Sequence, residues 1–109
     1  MSDISRVFTA LSDPTRLRIV EYLLDNGEAV AGELAGLSTS SLPAVSRHLK
    51  VLREAGVVAR RADGTHRIYS ARPQAIRDIA DWSAKHRAFW EGGFDRLEAL
   101  LAQEDEETA

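Results

Sequence analysis

The sequence predicts a mainly α-helical fold with one small β-hairpin, arranged as a winged helix-turn-helix, and three observations carry that prediction. Residues about 41–55 put an apolar stripe and a cationic stripe on one short helix. Residues about 57–70 hold two extended runs, one opening with Val57-Val58 and one containing Ile68-Tyr69, on either side of Asp63-Gly64, a pair that favours tight hairpin turns. Residues about 73–102 then repeat apolar side chains at steps of three and four, the mark of a long amphipathic helix. A helix followed at once by a basic hairpin is the winged arrangement: the helix enters a major groove of DNA and the hairpin lies along a neighbouring backbone or minor groove.

Composition narrows the class further. With 109 residues, 44% apolar and 28% charged, the chain suits a single globular domain over residues 1–109. A domain this small buries a modest share of its surface, so a long apolar helix face is readily completed by a second copy. There is no cysteine, which excludes disulfides, thiolate metal ligands and thiol switches. No apolar run is long enough to span a membrane and the start lacks a secretory pattern, so a cytoplasmic location is expected. The net charge of −3 hides an uneven distribution: residues 40–72 carry seven cations against two acids, a local +5, and the remainder is −8. A local cationic surface can neutralise phosphates while the acidic remainder resists indiscriminate adsorption.

In chain order, Ile4, Val7, Phe8 and Leu11 recur at helical spacing, so this segment buries one face against the body of the fold or a partner subunit, and Ile4, Val7 and Phe8 are assigned to the subunit interface. Ser12 and Asp13 can cap a second helix that opens at Pro14, carries Leu17, Val20, Leu23 and Leu24 on one side, and closes at Asn26-Gly27. Arg16 and Arg18 within it read as surface charges. Residues 28–37 are rich in small side chains, with Val30, Leu34 and Leu37 apolar, which suits the first helix of a helix-turn-helix. Residues 36–41 form a turn whose hydroxyls can cap the next helix or meet phosphate, and one serine is assigned to the cap.

The next helix is the centre of the reading. Leu42, Val45, Leu49 and Leu52 fall on one face, while Ala44, Ser46, Arg47, His48, Lys50 and Arg53 point elsewhere. Ser40, Ser41 and Pro43 mark its start, and Gly56 supplies the left-handed position that ends it. The strands are placed at residues 57–62 and 66–70. After Tyr69 the helical pattern restarts at Pro73 and runs through Ile76, Ile79, Trp82, His86, Phe89, Trp90, Phe94, Leu97 and Leu100-Leu101. Its alternating steps resemble a seam between two helices, so Ile79, Trp82, His86, Phe89, Trp90, Phe94 and Leu97 are assigned to a homodimer interface. Gly92-Gly93 is read as a kink or close backbone approach, and residues 103–109 as a frayed acidic tail.

The pieces LSDPTRLRIVEYLL (Leu11 to Leu24), PAVSRHLKVLREAGVV (Pro43 to Val58) and the Asp-Gly hairpin ending in Tyr69 resemble the ArsR-type winged-helix transcriptional repressors, over about residues 4 to 80. The resemblance implies a homodimer that binds a palindromic, inverted-repeat operator in double-stranded DNA and releases it on a signal, and it favours a structural role for Arg16. Metal-sensing members usually carry a cysteine pair in the helix corresponding to residues 28–37, or spaced Asp, His and Glu on the last helix. Neither pattern occurs here, so no metal site and no cofactor is expected, and His86 is read as an interface histidine. The effector stays open: FWEGGFDRLEALL (Phe89 to Leu101) resembles the last helix of members without known metal sites.

The expected DNA surface combines Ser40, Ser41, Pro43, Ala44, Ser46, Arg47, His48 and Lys50 on the helix with Arg60, Arg61, Thr65, His66 and Arg67 on the wing. A winged-helix interaction module that dimerises without specific DNA binding is the alternative, and the +5 segment argues against it. An enzyme finds no material, because the chain has no glycine-rich phosphate loop, no paired carboxylates in reach and no cysteine nucleophile.

Overall fold

The computed structural model describes residues 3–37 and 40–108. Helices α1 (Asp3–Leu11) and α2 (Pro14–Asn26) lead to a short strand β1 (Ala29–Val30), the helix pair α3 (Ala31–Ala35) and α4 (Leu42–Glu54), the hairpin β2 (Val58–Asp63) and β3 (His66–Ala71), and two final helices, α5 (Pro73–Lys85) and α6 (Arg87–Thr108). The chain divides into two compact units, one ending at Asp78 and the other beginning at Ile79. Among the described residues no helix is long and apolar enough to cross a membrane.

The first unit closes on a core drawn from each of its elements. Val7 and Ala10 of α1, Ile19, Val20 and Leu23 of α2, Ala29, Leu34, then Val45, Leu49 and Leu52 of α4, with Val57, Val58, Tyr69 and Ala75, are all buried, and no polar or charged residue joins them among the described residues. The helix ends follow local chemistry. Asp13 caps α2 by accepting the Arg16 amide at 3.0 Å, and Gly27, at φ +82°, stops it while its amide bonds Leu23 O at 3.0 Å. At the end of α4, Gly56 (φ +78°) donates to Arg53 O and Val57 to Leu52 O at 2.9 Å. That is the paired closure of a Schellman motif, with its apolar contact supplied by two buried residues, Val57 and Leu52.

Several boundaries differ from the sequence expectation, each for a physical reason. The first helix of the pair covers only Ala31–Ala35 rather than residues 28–37, because Ala29 and Val30 are extended and pair with Tyr69 and Ile68. The hairpin is thereby a three-stranded antiparallel sheet in the order β1-β3-β2. Val57 is still engaged in closing α4, so β2 starts one residue later than expected. The turn is Gly64-Thr65 rather than Asp63-Gly64: Asp63 pairs with His66 across the ladder, and Gly64 alone has positive φ (+62°), the pattern of a two-residue loop with glycine in first place. Leu42, expected inside, is 51% exposed at the start of α4, where the helix has not yet reached the core. Ser38 and Thr39 of the expected turn lie outside the described residues.

In the second unit the single helix expected over residues 73–102 is broken at His86. The His86 ring Nδ1 lies 2.8 Å from Trp82 O, the carbonyl its own amide would take in an α-helix, and that amide bonds Ser83 O instead at 3.1 Å. A carbonyl can only accept, so Nδ1 carries the proton. Gly92 and Gly93, read as a kink or a close backbone approach, lie inside α6, and the acidic stretch expected to fray continues helical to Thr108. Residues 94–108 contain no glycine or proline, so nothing local stops the helix.

The burial pattern of α4 makes a direct test. Leu49→Ala, at 1% exposure, should cost about 2–5 kcal/mol of folding stability, whereas Leu42→Ala should stay within about 0.5 kcal/mol; urea unfolding of the two variants checks the assignment.

Candidate nucleic-acid interface

The two faces of α4 are cleanly separated. Val45, Leu49 and Leu52 are at most 1% exposed, while Pro43, Ser46, Arg47 and Lys50 face solvent and Ala44 is half-buried. Ser41 caps the helix by accepting the Ala44 amide at 3.3 Å, so its hydroxyl is engaged in the role expected of one of the two serines. Ser40 is half-buried beside it.

His48 stands apart from the exposed set. Its side chain is 23% exposed and its Nδ1 lies 3.9 Å from Asp13 Oδ2 and 3.4 Å from Arg16 Nη1. Arg16, a surface charge by spacing alone but structural by the family resemblance, is half-buried and works as a junction: its Nε donates to Ala10 O at 2.6 Å and its Nη2 to Thr9 O at 3.5 Å, both at the end of α1. One guanidinium therefore spans the end of α1, the start of α2 and the middle of α4. Asp13 beside it is held below the ordinary aspartate value by the Arg16 amide and, against an opposing desolvation, by the charges of Arg16 and His48.

Strand alternation divides the wing cations. Arg60 pairs with Tyr69 and Ala62 with Arg67, so Arg60 and Arg67 share the face of the buried Tyr69; Arg61 pairs with Ile68 and Asp63 with His66, on the opposite face. On that second face Arg61 is already engaged. Its Nη2 and Nε donate to the two carboxylate oxygens of Glu28 at 2.7 and 3.3 Å, which lowers the Glu28 carboxyl and raises the guanidinium from their ordinary values. Both side chains remain about half exposed, at 54% and 50%. Thr65 lies in the turn and His66 opens β3, both exposed. The five wing residues expected to act together are thus two cations on one face, one paired cation on the other, and two residues at the tip.

A family model described as "Bacterial regulatory protein, arsR family" matches residues 13–60, from the cap of α2 into β2. The HTH-type transcriptional regulator Rv2034 of Mycobacterium tuberculosis is 39% identical over 106 residues, covering 94% of this chain and 92% of that protein. The chain belongs to the ArsR family. The transcriptional repressor SdpR of Bacillus subtilis is 35% identical over 79 residues, 72% of this chain and 87% of that protein. The solution structure of the homodimeric winged helix-turn-helix DNA-binding domain of Mb0332 from Mycobacterium bovis matches with a TM-score of 0.61 and 26% identity, over 86% of this chain and 83% of that one. This ArsR-family protein is accordingly a winged helix-turn-helix, DNA-binding transcriptional regulator and not an enzyme.

In the second unit of this ArsR-family chain the aromatic residues form a ladder. Trp82 and His86 have ring centroids 4.7 Å apart, Phe89 and Trp90 meet edge to face at 5.8 Å, and Trp90 and Phe94 stack at 6.4 Å. The ladder leaves much apolar surface in water: Phe89 is 67% exposed, Phe94 60%, Leu97 51% and Leu100 61%. In the first unit, Val7 is a correction to the expected interface set, since at 3% exposure it is spent on the core; Phe8 keeps 39% and Ile4 is half-buried. Among the described residues no three His, Asp or Glu side chains gather as a metal-ligand set.

Asp13 and Glu28 were not assigned to the DNA surface from sequence. The capping role of Asp13 was legible in Asp13-Pro14, whereas Glu28 carries no local signal, because its partner lies across the sheet.

Because the Asp13 carboxyl is lowered in the folded chain, the stability it adds is present above the ordinary aspartate value of about 3.9 and is lost as pH falls through its lower folded value. Asp13→Ala should therefore lower the melting temperature at pH 7, and the gap to the natural chain should close on acidification. Asp13→Asn, which keeps a capping acceptor, should melt close to the natural chain at pH 7; thermal melts across pH check both.

Proposed function

We propose that this chain is a transcriptional repressor that binds an inverted-repeat operator as a homodimer, in the cytoplasm, with α4 as the recognition helix. The observation that carries the reading is the exposed face of Ser46, Arg47 and Lys50 on a helix whose opposite face is buried. Arg47 reads base edges by its bidentate fork, Ser46 and Lys50 contact base edges or phosphate, and Pro43 and Ala44 face the groove floor. Arg60 and Arg67 follow the neighbouring backbone or minor groove, with Thr65 and His66 at the tip of the wing. Two such helices must stand about 34 Å apart to enter successive major grooves, which a monomer cannot supply. The ladder of Trp82, His86, Phe89, Trp90, Phe94 and Leu97, half-buried at Trp82 and exposed from His86 onward, with Ile79 before it, supports a second copy as its cover, and the homodimeric Mycobacterium bovis relative supports the same reading. Ile4 and Phe8 offer further apolar surface in the first unit.

Selection of bound sequences from random duplex DNA tests the reading as a whole: enrichment of an inverted repeat is expected, and recovery of no preferred sequence would favour an interaction module instead. On the recovered operator, Arg47→Ala should cost about 1–3 kcal/mol and relax preference at one base position per half-site. Lys50→Ala, Arg60→Ala and Arg67→Ala should weaken all sequences alike. Arg61→Ala should do so less, since Glu28 already holds that charge; titrations against a panel of half-site mutations measure each.

Phe89→Ala or Trp90→Ala should remove interface area worth about 3–5 kcal/mol and make the melting temperature depend more steeply on protein concentration. In sedimentation equilibrium, a natural chain that stays monomeric at tens of micromolar would sink the homodimer.

A further inference from the structure

The histidine of the recognition helix does not share the geometry of its neighbours. Successive residues of an α-helix turn by about 100°, and on α4 this sets Ser46, Arg47 and Lys50 on the open face and Val45, Leu49 and Leu52 on the closed one. His48 falls at the edge between them, with its side chain 23% exposed. There its Nδ1 meets Arg16 Nη1 at 3.4 Å, with Asp13 Oδ2 at 3.9 Å. A guanidinium can only donate, so in the neutral ring Nδ1 is the acceptor and Nε2 bears the hydrogen.

Arg16 has little freedom to follow a moving partner. Its Nε is fixed on Ala10 O at 2.6 Å, its backbone amide is fixed on the Asp13 carboxylate at 3.0 Å, and its Nη2 reaches Thr9 O. The buried stripe of α4 holds the helix against the core by apolar contact alone, without a hydrogen bond of its own side chains. The contact from Arg16 to His48 is directional and sits off that stripe, where it resists rotation.

We propose that His48 is a positioning residue: it sets the roll of the recognition helix through Arg16, and so the aim of Ser46, Arg47 and Lys50, without contacting DNA. This rests on the assignment of α4 as the recognition helix. Discrimination needs side chains placed to a fraction of an ångström, while attraction to any duplex needs only cations near phosphates. Loss of the contact should therefore damage specificity and spare non-specific affinity.

The test uses the full chain, with the operator from random-sequence selection and a random duplex as its control. His48→Ala and Arg16→Lys should each lower the operator-to-random affinity ratio about tenfold, with the loss spread over the half-site positions and random-duplex affinity unchanged within about twofold. The double variant should be no worse than Arg16→Lys alone, because the contact to His48 is already lost when Arg16 is replaced. His48→Asn, whose side-chain oxygen can stand where Nδ1 stands, should restore most of the ratio. A loss confined to one base position, or additive losses in the double variant, would make His48 a direct reader and overturn the proposal. A DNA-free measurement separates this from failure of the recognition-helix reading: nitrogen NMR of the free protein should show the His48 ring with hydrogen on Nε2, and Arg16→Lys should shift its Nδ1 signal. A His48 ring indifferent to Arg16 would refute the inference even if an inverted repeat is found.

Discussion

Val45, Leu49 and Leu52 of α4 are almost completely withdrawn from solvent, and the rest of the first unit is arranged to make that burial possible. The stripe is about two turns long, so the helix needs α1, α2, α3 and the sheet around it to close over so little length. Burial of this kind fixes which face of the helix is turned outward, because a helix with one sealed side has only one side left to offer. The candidate surface is in that sense a by-product of packing: Ser46, Arg47 and Lys50 are presented because Val45, Leu49 and Leu52 are not. The polar junction at Arg16 complements it, adding directional contacts from α1 and α4 to the orientation that burial already sets.

Features encoded within a few residues were legible in the sequence. The Schellman closure at Gly56, the cap at Asp13, Pro14 and Pro43 in first turns, and the separation of the α4 faces all depend on neighbours along the chain, and all are present. Features made by distant partners were not. The two-residue strand at Ala29 exists only because β3 offers it an edge. Glu28 finds Arg61 across the sheet, and Arg16 finds His48 across the helix pair. Within the candidate surface, the residue types were read correctly as cationic, but their division by strand alternation needed the register Arg60 to Tyr69 and Arg61 to Ile68. The break at His86 is an intermediate case: its cause is local, yet a histidine bonding back to the carbonyl four residues earlier has no signature in apolar spacing.

That break also divides the labour of the last two helices. α5 opens with Ala75 buried in the first unit's core, so its start is fixed by packing, whereas α6 carries no buried residue among those described. With no buried side chain among its described residues, this 22-residue helix has no core of its own; most helical stability in proteins comes from packing of an amphipathic face. Phe89, Phe94, Leu97 and Leu100 of α6 are each more than half exposed.

The sheet order has a consequence for solubility. With β3 in the centre, β1 is too short to template another chain, and β2 is left as a six-residue open edge. Exposed edges of that length invite strand addition by a second molecule and, beyond it, aggregation; charged side chains are a common way of blunting them. Arg60, Arg61 and Asp63 stand on that edge, with alanine between and beside them. The cations that suit a phosphate backbone thereby also keep the wing from pairing with another wing, and a variant stripped of them would present a bare strand to its neighbours in solution.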